Sequence, residues 1–186
     1  MPNRKILVGT SKITINDTKP IPPLLEATGS KDTSFNPTLF NTKNNAVIHD
    51  VALHPNGKVL IAGFHVVNTL SDRILKGFVI RLNSDGSVDQ GFQAAELVDK
   101  RIYRLKMLSN GQMLTASTIY NGSTTQSNIS RLNSDGTVDN SFNSAIVANG
   151  IINDFSVLPN NKIVVGGAFS TYGNKLRGNL ALLNAD

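Results

Sequence analysis

The chain has 186 residues, of which 40% are hydrophobic and 6% aromatic, with no Trp and no Cys. These values describe one domain whose core is built from Ile, Leu, Val, Ala and eight Phe, and they exclude disulfides, zinc knuckles and thiol catalysis. The net charge of +5 rests on a charged fraction of only 17%, too dilute to select nucleic acid as a partner, and no run approaches the ~18 apolar residues of a membrane span.

Residues 2–9 (PNRKILVG) read as a turn followed by a strand, and residues 1–10 lack the long apolar run of a signal peptide. Residues 25–35 (LEATGSKDTSF) end on Asp32 and Phe35. Residues 46–53 and 58–64 are apolar, β-rich runs joined by HPNG, which is turn chemistry, so they read as a hairpin. Residues 77–82 (GFVIRL) are expected to pair across NSDG with a fourth strand at residues 87–92 (SVDQGF), because Gly86 tolerates the positive φ of a tight turn.

The same phrases then return. LSNGQMLTAS (108–117) and LPNNKIVVGG (158–167) repeat the turn and strand of residues 54–63, and RLNSDGTVDNSF (131–142) repeats RLNSDGSVDQGF (81–92) after 50 residues. LLNAD (182–186) opens a further copy, and residues 2–9 and 25–35 make a worn first one. Four short strands per fifty residues without helical periodicity is the signature of a β-propeller blade. The expected division is a half blade (1–35), two blades (36–92 and 93–142) and a truncated blade (143–186), together about three and a half units of one all-β, antiparallel propeller domain. Both ends fall within a repeat, so the expectation is a fragment, or one piece of a larger assembly.

The recurring residues are candidate packing anchors. Phe35, Phe92 and Phe142 share one repeat position, as do Asp32, Asp89 and Asp139, whose carboxylates are placed to accept backbone N–H bonds in the following bend. Ile48, Ile102 and Ile152 align, as do Val51, Leu105 and Phe155, and Leu53, Met107 and Val157, all read as core. Between them Asp50, Arg104 and Asp154 alternate in sign and read as a charged belt.

Chemistry-bearing patterns are sparse. Asn83, Asp85 and Asp89 surround Gly86, and Asn133, Asp135 and Asp139 repeat the set; these are candidate calcium ligands, but a calcium loop wants more carboxylates and a plain turn is preferred. His49, His54 and His65 fall in one unit without recurring, which disfavours zinc. No hydrolase, metalloprotease or phosphate-loop motif occurs. The stretch DKRIYRLK places Lys100, Arg101, Arg104 and Lys106 within seven residues, with Tyr103 among them. Strand alternation puts Arg104 and Lys106 on one face, a candidate patch for an anionic glycan, nucleic acid or acidic partner, with a plain solvated strand face as the preferred reading.

The order of RLNSDGSVDQGF, an apolar strand, and LPNNKIVVGGAFSTYGN with paired Gly166 and Gly167 resembles the delta-sixty repeat, a β-propeller repeat of bacterial proteins. The resemblance covers the chain, weakens over residues 10–30, and departs in the middle unit, where TASTIYNG (115–122) replaces VGGAFSTYG. It implies blades in large, often exported or surface proteins, with no catalytic residue to carry over. The function expected is therefore a non-enzymatic structural or binding module without cofactor, at a bacterial surface or on a virion, engaging a protein or glycan. Its open sheet faces are expected to be covered by further blades or by another copy. The competing expectation is a propeller enzyme whose site lies in blades outside this chain.

Overall fold

The computed structural model describes residues 6–7, 24–25, 28, 30, 32–37, 46–68, 73–93, 95–98 and 100–184. The remainder of the worn first copy, Gly29 included, and Ala185 and Asp186 lie outside the described residues. The strands are β1 (Ile6–Leu7), β2 (Leu24–Leu25), β3 (Val47–Leu53), β4 (Val59–Asn68), β5 (Arg73–Leu82), β6 (Ala95–Val98), β7 (Arg101–Met107), β8 (Met113–Asn121), β9 (Thr124–Leu132), β10 (Val147–Ala148), β11 (Ile151–Val157), β12 (Ile163–Ala168), β13 (Thr171–Tyr172), β14 (Lys175–Leu176) and β15 (Leu180–Leu183). All their pairings are antiparallel, and the described residues contain no helix.

The three described blades fold as antiparallel meanders. The first blade is ordered β3-β4-β5-β6 and the third holds β11-β12-β15. Residues 59–63 of β4 are buried without a break because sheets cover both sides of it. Val59 and Ile61 join Phe35, Ile48, Phe78, Ile80 and Leu82 in one core, whereas Leu60 and Ala62 join Val79, Phe92, Ile102, Leu105, Met113 and Leu132 in the next. A third core between the second and third blades contains Leu114, Ile129, Phe142, Ile152, Phe155 and Val165. Alternate residues of one strand thus feed opposite cores, which is what stacking of blades requires.

The fourth strand lies later than the sequence pattern suggests. Residues 87–92 make only a single bridge, Leu82 to Val88, and β6 supplies the fourth strand after Phe92; Val138 and β10 repeat this around Phe142. The physical reason is Asp89. Its N–H bonds Arg81 O (2.9 Å), closing the turn, and its carboxylate then holds the Gly91 N–H (3.0 Å), bending the chain away from the ladder.

Two further features depart from simple alternation. Every first strand carries a β-bulge at the same place, between Ile48 and Asp50, Ile102 and Arg104, and Ile152 and Asp154, so His49, Tyr103 and Asn153 are the extra residues. The second sheet is also extended by its neighbour: β13 and β14, from the third repeat, add to β10 in the order β14-β13-β10-β9-β8-β7. Tyr172 on β13 is buried by this exchange, and burial pushes its phenol up to about 12.

The paired glycines have different roles. A β-carbon at Gly167 would lie 2.1 Å from Ile151 O, whereas at Gly166 its nearest neighbour would be Asn179 O at 4.0 Å. In the middle unit Ser117 takes the Gly167 place, and its hydroxyl donates to Asn128 Oδ1 (2.8 Å) inside a buried row of Thr115, Ser117, Thr118, Ser127, Asn128 and Ser130. The middle blade therefore replaces close backbone packing with hydrogen bonds between side chains.

Candidate functional site

The repeated ten-residue phrase builds a contact between blades. Arg81 Nε donates to Asp89 Oδ2 (2.6 Å), its Nη1 donates to Ser134 O of the next blade (3.0 Å), and the guanidinium lies 4.7 Å from the Phe92 ring centre. Gln93 N–H donates to Asp135 O (2.6 Å), as Asn36 N–H does to Asp85 O (2.9 Å). One blade's Phe and the residue after it thus seat the next blade's NSDG turn. Arg131 repeats the inner half, with Nε to Asp139 Oδ2 at 2.7 Å and its guanidinium 5.0 Å from the Phe142 ring.

The acids are held ionised by these partners. Lys58 Nζ (2.7 Å) and Arg81 draw the buried Asp89 down to about 2 against the cost of burial, and Ser141 with Arg131 does the same for Asp139, also about 2. Gln112 replaces Lys58 beside Asp139, donating from Nε2 at 3.0 Å. Asp32 accepts from Ser34 N (2.9 Å), so the bend after each acid is held in all three copies. A carboxylate depressed from 3.8 to about 2 adds stability that is complete above its ordinary value and lost as the pH falls toward 2. The melting temperature should therefore drop steeply between pH ~4 and ~2, and Asp89→Asn should flatten that drop while lowering stability at neutral pH. An unchanged acid limb in the variant would overturn the assignment.

The candidate calcium ligands are not brought to one centre. Asp85 Oδ1 accepts from Ser87 N (2.9 Å) and Ser87 Oγ (2.7 Å), and Asp135 does so from Thr137 at the same distances, so both acids close their own turns. These bonds, from the hydroxyl first, lower both carboxyls. Asn83 and Asn133 donate to the same hydroxyls (2.9 and 3.0 Å), while Asp89 and Asp139 face cations or amides. Among the described residues no three His, Asp or Glu converge as a metal site. His54 bonds Asn56, His65 packs 5.9 Å from Phe78, and His49 packs on Tyr103, so the three imidazoles serve different neighbourhoods.

The belt is divided by its bulges. Asp50 Oδ2 accepts Leu105 N (2.8 Å) across blades instead of pairing with Arg104, and its Oδ1 accepts Val51 N (2.9 Å). Arg104 Nε and Lys106 Nζ approach Asp154 at 3.9 and 3.5 Å, an exposed group that contributes little energy. Lys106 Nζ also donates to Phe155 O and to Ser156 Oγ, so it tethers the second blade to the third.

Of the basic stretch, Arg101 has a different environment. Its guanidinium lies 5.0 Å from the Phe64 ring and 4.6 Å from the Tyr120 ring; the Tyr120 and Tyr103 hydroxyls are 3.2 Å apart; the Tyr103 ring is 4.4 Å from His49, which is 5.5 Å from Phe64. These five side chains close a ring of contacts across the first and second blades. Arg101 Nε and His49 Nε2 are buried there without a hydrogen-bond partner. Burial, then Arg104 and Arg101, pushes the imidazole of His49 down, and burial pushes the half-buried Lys100 down. His49, Phe64 and Tyr120 were not legible as neighbours of Arg101, because strand pairing and the bulge at Tyr103 bring them together.

No helix among the described residues is long and apolar enough to cross a membrane. No curated protein matches the chain. A family model described as "Domain of unknown function (DUF5122) beta-propeller" matches residues 54–92, 108–142 and 158–186, more than half of the chain. Each matched segment opens on the turn before β4, β8 or β12, and the first two close on Phe92 and Phe142, the residues that seat the next blade. With the sheets, turns and interblade contacts all following that register, the chain belongs to the DUF5122 beta-propeller family.

Proposed function

We propose that this chain is a non-enzymatic binding module, a propeller segment of the delta-sixty repeat kind that works without a cofactor in a bacterial surface, adhesive or virion-associated protein and engages a protein or glycan. One observation carries the reading: the polar residues that recur are consumed in holding blades together. Asp89, Arg81, Asp139 and Arg131 bond one another or a neighbouring turn. What varies is presented at fixed geometry, since the three bulges offer His49, Tyr103 and Asn153 at one repeat position. A constant scaffold with variable residues at the bulges suits recognition more than catalysis. The third blade's face, with Leu180 61% and Leu182 54% exposed, is then covered by another copy or by further blades.

The test is retention of the whole chain on immobilised glycans and proteins, with the retained species identified by mass before and after contact. Retention of an unaltered species supports the module, and a chemically altered one overturns it. Light scattering on the same sample should read twice 20.0 kDa if copies cover each other's faces, whereas a stable single mass would leave that cover to other blades.

A further inference from the structure

Among the described residues the ring formed by His49, Phe64, Arg101, Tyr103 and Tyr120 occurs once. At the junction of the second and third blades the same repeat positions hold Tyr103, Thr118, Ile151, Asn153 and Ser170, which cannot form it. The Arg81 and Arg131 contacts that hold the repeated turns do recur, so the composition of this cluster is not set by the repeat.

Its chemistry indicates the reason. Phe64 and Tyr120 each offer a ring to the Arg101 guanidinium, and no carboxylate of the described residues pairs with that charge. Ring stacking leaves the edge of the guanidinium for hydrogen bonding, and an edge of parallel N–H donors matches a planar carboxylate. His49 Nε2 adds a second buried polar atom without a partner. Lys100 adjoins Arg101 in the chain, Arg104 lies three residues on, and Asp154, the acid within ion-pair reach of Arg104, is shared with Lys106. Beside the charge, Tyr120 is 41% exposed and its hydroxyl meets that of Tyr103, giving an aromatic face with two groups that can bond a sugar's hydroxyls. One unpaired guanidinium beside tyrosines suits a ligand with one carboxylate per ring and hydroxyls around it better than the closely spaced phosphates of a nucleic acid, which select rows of cations.

We propose that this junction, at the end of the blades opposite the NSDG turns, binds a carboxylate-bearing sugar, as in an acidic glycan built from uronic acids. Arg101 receives the carboxylate, and the Tyr103 and Tyr120 hydroxyls receive ring hydroxyls. The proposal rests on the binding-module reading and supplies its ligand class.

The test is calorimetric titration of the whole chain with tetragalacturonate, and with neutral maltotetraose as the control. Tetragalacturonate should bind and maltotetraose should not. Arg101→Gln should weaken binding by about tenfold or more, the loss of one charge-assisted pair. Tyr103→Phe, which keeps the ring, should weaken it by a few-fold, and it serves if Arg101→Gln fails to fold as judged by its melting curve. Absence of tetragalacturonate binding up to about 10 mM, or equal binding by wild type and both variants, overturns the proposal. If instead dextran sulfate, which has no carboxylate, or polyglutamate, which has no sugar, binds through Arg101, the uronate class is overturned and the module stands. If tetragalacturonate binds and is cleaved, the ligand class stands and the non-enzymatic reading falls.

Discussion

Gly136→Ala should destabilise the protein by about 3 kcal/mol or more, whereas Gly57→Ala, at a turn of similar backbone shape, should cost about 1 kcal/mol. Both glycines have positive φ, +93° and +83°, so both substitutions force an L residue into the left-handed region, and that strain is common to the pair. The space around them differs. A β-carbon at Gly57 meets nothing within 4 Å, but at Gly136 it would lie 2.3 Å from Gln93 O and 2.7 Å from the Phe92 ring. Gln93 O belongs to backbone that also carries the interblade bond to Asp135, so it cannot retreat without opening the contact. Gly86 faces Asn36 and Pro37 backbone at 2.7 to 2.9 Å, and the same penalty is expected there. Thermal unfolding of the two alanine variants decides the matter: equal melting temperatures would mean that the turn is not seated as described.

Much of this architecture was written in the repeats, and what was not has definite causes. The fifty-residue period, the turn glycines and the Phe at each interblade gap are local sequence facts with local consequences. The fourth strand lies later than its sequence signal because Val88 and Val138 look like strand residues, yet the Asp that follows each diverts the chain by bonding the next N–H groups. The bulges did leave a signal. Ile48, Val51 and Leu53 are spaced by three and then two, as are Ile102, Leu105 and Met107, and a spacing of three within a strand demands one extra residue. The attachment of β13 to β10 left none, because it depends on pairing between two repeats. For the site, the basic stretch marked Arg101, but its partners lie 37 and 52 residues back, at Phe64 and His49, and only the stacking of blades joins them.

Phe92→Ala should cost about 3 to 5 kcal/mol, the range for removing a buried ring, and lower the melting temperature by about 10 °C or more. The ring is 6% exposed and packs in the core between the first two blades with Leu60, Ala62, Val79, Ile102 and Leu105. Its removal leaves a cavity, which alone gives the lower bound. The ring is also the platform of Arg81, whose guanidinium lies 4.7 Å above it while bonding Asp89 and Ser134 O, so the loss spreads to the ion pair and to the next blade's turn. Phe92→Leu separates these effects. Leucine restores most of the volume but no aromatic face, so it should recover the cavity part and leave the Arg81 contact weakened. A double-mutant cycle of Phe92→Leu with Arg81→Met measures the remainder, expected at about 0.5 to 1 kcal/mol for a partly exposed cation over a ring. A coupling of zero would mean that Arg81 is held by Asp89 and Ser134 alone. The ring would then act only as filler, and the recurrence of Phe at this position would follow from volume, a role that Leu could equally serve.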